Sequence, residues 1–216
     1  MPNITTLLTD ALAAYNISAF YDAGEGILVA HPATVSRHKA LTGEHIVLVT
    51  PYTHSPGCHA TAWVPDGEPD FMNIATVYEP QRGSALDDEA ARCALAVAQW
   101  FTDPRPTAGA VVLDALAKYG ITAREGDAGM SYEVPIGPHA PAQADSPVYL
   151  SLCDRAPGVE HVPAAHTGWV VFAHTASGEP VGDALYCTSG TVLVDCDADS
   201  AAAAACIADY LIRLTP

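Results

Sequence analysis

Hydrophobic and polar positions alternate along this chain with two periods, and the periods change in a regular order. Leu7, Leu8, Leu12 and Tyr15 recur at helical spacing, which predicts an amphipathic helix over residues 4–15 with Asn16 at its end. Two short β-type runs follow, at 17–21 and 26–30, around Asp22-Ala23-Gly24, and read as a hairpin. Residues 31–44 are polar and broken by Pro32, Thr42 and Gly43, which predicts an exposed connection. Further strands are expected at 45–50, 61–64, 73–79 and 84–86, and an alanine-rich helix at 87–101, with Leu95, Ala98 and Phe101 along one face.

The same order then recurs. A helix is expected at 111–119, ended by Gly120, followed by strands at 121–124, 132–136, 148–152, 167–172, 184–188 and 191–194 and a closing helix at 199–214. The recurrence extends to residues: positions 10–19 read against 114–123, Asp22-Ala23-Gly24 against Asp127-Ala128-Gly129, Thr61-Ala62-Trp63-Val64 against Thr167-Gly168-Trp169-Val170, and Gly67-Glu68-Pro69 against Gly178-Glu179-Pro180. Repetition of this kind decides architecture first. The expected fold is therefore α+β, a tandem duplication of a two-layer unit running helix, five or six strands, helix. Short connections imply mainly antiparallel sheets, with both helices of a unit on one face. The units are placed at 1–103 and 107–216, joined by a stiff link containing Pro104 and Pro106 and related by a pseudo-twofold axis.

Charge narrows the partners. Among 216 residues, 25 are Asp or Glu and 9 are Lys or Arg, for a formal charge of −16. Divided at Pro104 the chain carries −8 on each side, so no acidic tail explains the total. Such a surface repels phosphates, and direct nucleic-acid binding is not expected. Neither a leader-like start nor an apolar run of spanning length is visible, so the expectation is a cytoplasmic protein without membrane association. Two lysines and long alanine runs suggest a GC-rich bacterial source. The six cysteines fall at unmatched positions of the repeat, so reduced thiols are expected.

The densest reactive cluster is His54-Ser55-Pro56-Gly57-Cys58-His59, with His45 upstream. His54, Cys58 and His59 are the candidates for a nucleophile with its base. Side chains adjacent on a strand turn to opposite faces, however, which argues against pairing Cys58 with His59. His166 lies beside the second Trp-containing segment but faces Ala60, not His59, in the repeat alignment. No Cys-x-x-Cys pair announces zinc, and no calcium loop, dinucleotide fingerprint or phosphate loop occurs. Neither a cofactor nor a metal is expected. Trp63 and Trp169 read as core anchors, and the acids at 87–89, Asp195, Asp197 and Asp199 as helix N-terminal charges.

The resulting expectation is a non-enzymatic acidic adaptor that binds another protein. Two alternatives stand beside it: an acidic nucleic-acid mimic that blocks the basic site of a DNA-binding protein, and a small hydrolase or ligand binder using the His54, Cys58 and His59 region.

Overall fold

The computed structural model describes residues 4–43, 45–49, 57–65, 71–80, 84–126, 130–137, 147–155, 158–189 and 194–214. The fold is α+β: two antiparallel five-stranded sheets and, among the described residues, five α-helices. The chain divides into two compact units, Met1–Pro106 and Thr107–Pro216.

In the first unit, α1 (Ile4–Ala14) buries Ile4, Leu8 and Leu12, whereas Leu7 is half-buried and Tyr15, expected on the same stripe, lies past the helix end and is exposed. It ends where Asn16 enters the left-handed region at φ 60°, a conformation Asn tolerates better than most residues. Strands β1 (Ile17–Asp22), β2 (Ile27–Pro32), β3 (His45–Val49), β4 (His59–Pro65) and β5 (Phe71–Tyr78) form a simple meander in chain order. Cross-strand register puts Leu28, Ala30, Ile46, Ala60 and Ala62 on one face, all buried, against which α1 and α3 (Leu86–Trp100) pack. The polar connection after β2 contains a short helix, α2 (Arg37–Ala40), not foreseen from its composition. Ser36 caps it, and the Arg37 guanidinium sits 4.0 Å above the Phe20 ring.

Setting α2 aside, the second unit follows the same order of helix, five strands and helix. Helix α4 (Ala108–Ala117) begins three residues earlier than its apolar spacing suggests, because Thr107 Oγ1 accepts the Ala110 N–H at 3.1 Å. Gly120, at φ 69°, closes the helix as expected. Strands β6 (Arg124–Glu125), β7 (Ser131–Pro135), β8 (Tyr149–Asp154), β9 (Trp169–His174) and β10 (Tyr186–Cys187) again form a meander, and α5 (Cys196–Leu214) ends the unit. Here alternation is clean: Tyr132, Val134, Leu150, Leu152, Trp169, Val171 and Ala173 are buried with Val112, Leu116, Ala203 and Ile207 of the helices. The opposite face of the sheet is left half-exposed.

One strand expectation needs correction. Residues 84–86 are not a strand: Ser84 and Ala85 lead into α3, and the Ala85 carbonyl accepts the Glu89 N–H at 2.9 Å as the first helical bond. The strand expected at 191–194 lies almost wholly outside the described residues, and Val194 is not in one. Trp63 and Trp169 also occupy different places. Trp63 pairs with His45, the first residue of β3, whereas Trp169 pairs with Asp154, the last residue of β8. The position of the second sheet that matches Trp63 by register is His174, opposite Tyr149. Trp169 is fully buried on the helix side, while Trp63 is half-buried on the face away from Ala60 and Ala62.

Candidate functional site

Of the three residues singled out in the sequence, His54 lies outside the described residues. Cys58 and His59 diverge. Cys58, just before β4, is fully buried, and its backbone N–H points at Glu89 Oε1 at 3.4 Å. Its thiol meets Cys93 of α3. Burial pushes the Cys93 thiol well up, and the Cys58 thiol and the Glu89 carboxylate add to that shift. The Tyr78 phenol shares Glu89, and burial followed by that carboxylate holds its proton on. His59 turns outward, where Nε2 lies 3.2 Å from Glu79 Oε1. The inward thiol and outward imidazole do not converge.

The densest polar cluster is in the second unit. Alternation along β8 places Leu150, Leu152 and Asp154 on the inward face, so an apolar row ends in a buried carboxylate. After β8 the chain makes a single 3-10 turn, Pro163–Ala165, and delivers His166, fully buried, immediately before β9. His166 Nε2 lies 2.8 Å from Asp199 Oδ2 of α5, and His166 Nδ1 lies 2.5 Å from Asp154 Oδ2. The ring sits against Trp169, with centroids 4.7 Å apart.

Asp199 gathers donors from three segments. Besides His166 it accepts the Trp169 N–H at 2.9 Å, the Tyr186 hydroxyl at 2.7 Å and the Thr188 hydroxyl at 2.8 and 2.9 Å. Trp169 Nε1 donates to Ser200 Oγ at 2.8 Å, one residue further along the helix. Burial alone would raise the Asp199 carboxyl, but the hydrogen bonds from His166, Tyr186, Trp169 and Thr188 outweigh it and bring the carboxyl down to about 2. An ionised carboxylate only accepts, so His166 Nε2 carries a proton. Burial opposes a charge on His166, yet the two carboxylates more than compensate and raise its pKa.

A second imidazole approaches through the connection between β8 and the 3-10 turn. His161 Nε2 lies 3.3 Å from Asp154 Oδ2, and its ring stacks parallel to His166 at 5.8 Å and 7°. Helix α4 fixes this connection: the free N–H groups of its first turn, Ala108 and Gly109, donate to the His161 and Val159 carbonyls, both at 2.8 Å. The Tyr132 hydroxyl adds a bond to Glu160 Oε1 at 3.0 Å, while Val159 and Val162 are buried. Asp154 is held in turn by the Thr167 hydroxyl, which donates to Oδ1 at 2.5 Å, and the Arg155 side chain donates to the Thr167 carbonyl. One ligand atom each from Asp154, His161 and His166 falls within 4.8 Å of the others, so among the described residues these three form a group able to hold a metal ion.

Sequence reasoning passed over this cluster because it compared His166 with the repeat instead of with its own sheet. Two signals were available. Asp154 continues the inward row of β8, and Asp199 stands one turn before Ala203 on the apolar stripe of α5, as Glu89 stands one turn before Cys93 on α3. Of the other first-turn acids, Asp195 has the expected capping role, with Oδ1 accepting the Ala198 N–H at 2.8 Å. Asp87 and Asp88 are exposed. Comparison with family models, curated proteins and solved structures finds no match to this chain.

Proposed function

We propose that this chain is an acidic, soluble, cytoplasmic binding protein that acts on a protein partner by contact. The observation that carries the reading is the open face of the second sheet. Val170, Phe172 and His174 of β9 and Tyr149 and Cys153 of β8 are half-exposed there, while the other face is closed by α4 and α5. Tyr149 and His174 stack at 5.1 Å and 8°, and Phe172 meets His174 edge-on. An aromatic patch bordered by polar residues has the composition of a protein contact surface. The formal charge of −16 favours a partner of basic surface and speeds its encounter.

Capture from a native cell extract at low and high salt, with the wild-type chain beside Phe172→Lys, tests this. A protein retained by the wild type and lost from a variant of unchanged melting temperature is the expected result. Equal retention by both overturns the assignment of the surface. The nucleic-acid mimic predicts something different, a DNA-binding partner released with a steep salt slope and indifferent to Phe172.

The two units are further proposed to descend from one, with a pseudo-twofold relation as the consequence. Supporting this are the common order of helix, five-strand meander and helix, and an acid at the fourth position of each last helix. That acid takes a backbone N–H at the start of the fourth strand in both units, Glu89 from Cys58 and Asp199 from Trp169. An experimental structure in which the two units superpose poorly would remove the proposal.

A further inference from the structure

We propose that Asp154, His161 and His166 bind one divalent transition-metal ion of the zinc class. These three are not a closely spaced ligand pair in the chain: a strand end, a pinned connection and a 3-10 turn bring them together.

The donor set comes first. Two imidazoles and one carboxylate suit zinc and its neighbours, whereas calcium and magnesium take six or more oxygens. Both ring nitrogens of His161 are buried without an aligned hydrogen bond, and His166 Nδ1 faces the Asp154 carboxylate. His161 is only 12% exposed at its side chain, so those nitrogens are withheld from bulk water at a cost that a bound cation would relieve.

The supporting bonds are the second argument. Ligating histidines characteristically donate their other N–H to a carboxylate, which fixes the tautomer and aims the remaining lone pair at the ion. Asp199 does this for His166 through Nε2, and Thr167 holds Asp154 through Oδ1, so that Nδ1 and Oδ2 are the atoms left facing His161.

Spacing is the third. Ligand bonds of about 2.0–2.1 Å in a tetrahedron separate the donor atoms by about 3.3 Å. His161 Nε2 to Asp154 Oδ2 is 3.3 Å. His166 Nδ1 to Asp154 Oδ2, at 2.5 Å, is the closed edge, and an entering ion widens it. A proton on Nδ1 balances Asp154 when the ion is absent, and binding the ion releases it. Three protein ligands leave a fourth position of the tetrahedron open.

The test uses the full chain without a histidine tag, stripped with chelator and titrated with Zn²⁺ by calorimetry and with Co²⁺ by absorbance. One equivalent is expected, together with cobalt bands of a four-coordinate site. Both are lost in His161→Ala, and Asp199→Asn weakens binding about 10–100-fold through its positioning of His166. Cys187→Ser and His59→Ala bind as the wild type. Metal-free His161→Ala should be no less stable than the wild type, a result that a merely structural histidine would not give; should it fail to fold, His161→Gln replaces it. Absence of stoichiometric uptake by the wild type overturns the proposal, as does uptake that survives in the folded His161 variant.

Discussion

His166 Nε2 and Asp199 Oδ2, 33 residues apart in sequence, lie 2.8 Å apart in the core of the second unit. The contact joins the entry of β9 to the first turn of α5, and the same carboxylate holds Trp169, Tyr186 and Thr188. A buried acid with only donors around it stabilises the unit as long as it remains ionised. Remove the charge and each donor loses its partner in a medium that cannot replace it.

Asp199→Asn is therefore expected to destabilise the protein by roughly 2–4 kcal/mol. The amide keeps the shape of the side chain but turns an N–H₂ group toward hydrogen-bond donors, so isosteric replacement does not rescue it. Urea unfolding of chelator-treated protein measures the change. A loss below about 0.5 kcal/mol, the range of an ordinary surface substitution, would mean that the network is dispensable.

Stability should also fall at both ends of the pH scale because of this pair. The Asp199 carboxyl is lowered from 3.8 to about 2, so its contribution is present above the unfolded value and disappears as pH drops from about 4 to 2. His166 is raised above 6.5, so its contribution is complete below that value and fades as pH rises through the folded one. The pair stabilises most between about pH 4 and 6.5. The acid limb is worth about 2 kcal/mol, and it should be missing from Asp199→Asn in chelated protein followed by thermal melts across pH.

How much of this was legible beforehand follows from which physical signal each feature leaves. The clean alternation of β7 to β9 and the apolar stripes of the long helices are one-dimensional patterns, and the expected elements coincide with the observed ones to within a few residues. Trp63 and Trp169 mislead because a matching tetrapeptide does not fix strand register; their cross-strand partners, His45 and Asp154, stand at opposite ends of their strands. Glu89 and Asp199 look like ordinary first-turn acids until the phase of the helix is set by Cys93 and Ala203, which put both acids on the buried stripe. His161 leaves no local signal, since the first turn of α4, some fifty residues away, determines where its connection lies.

Gly168→Ala offers a test of how tightly that region is built. Gly168 has φ +127°, a left-handed value that an alanine adopts only with strain, and a Cβ there would lie 2.6 Å from Thr188 Cβ and 2.9 Å from Arg155 Nη2. Thr188 cannot retreat without giving up Asp199. A loss of about 2 kcal/mol or more is expected, and Gly168→Ala/Thr188→Ser should not recover it, because serine keeps the Cβ and hydroxyl oxygen that clash. A loss below about 0.5 kcal/mol in Gly168→Ala, read by urea unfolding, would mean that the segment gives way.

Thiol reactivity separates the binding reading from the hydrolase alternative. Cys187 is exposed, Cys153 and Cys206 are half-buried with thiols raised by burial, and Cys58, Cys93 and Cys196 are buried. Burial brings the Cys196 thiol up to about 12. Native protein should therefore show one fast equivalent with an aromatic disulfide reagent at neutral pH, abolished by Cys187→Ser, and the three buried thiols should react only on unfolding. A nucleophile at Cys58 would need a stabilised thiolate within reach of reagent. Its position denies it access: the side chain is fully covered, it meets Cys93, and the His59 ring is engaged with Glu79 on the outside of the strand. Fast labelling mapped to Cys58, and slowed by His54→Ala or His59→Ala, would reverse the order of the two readings.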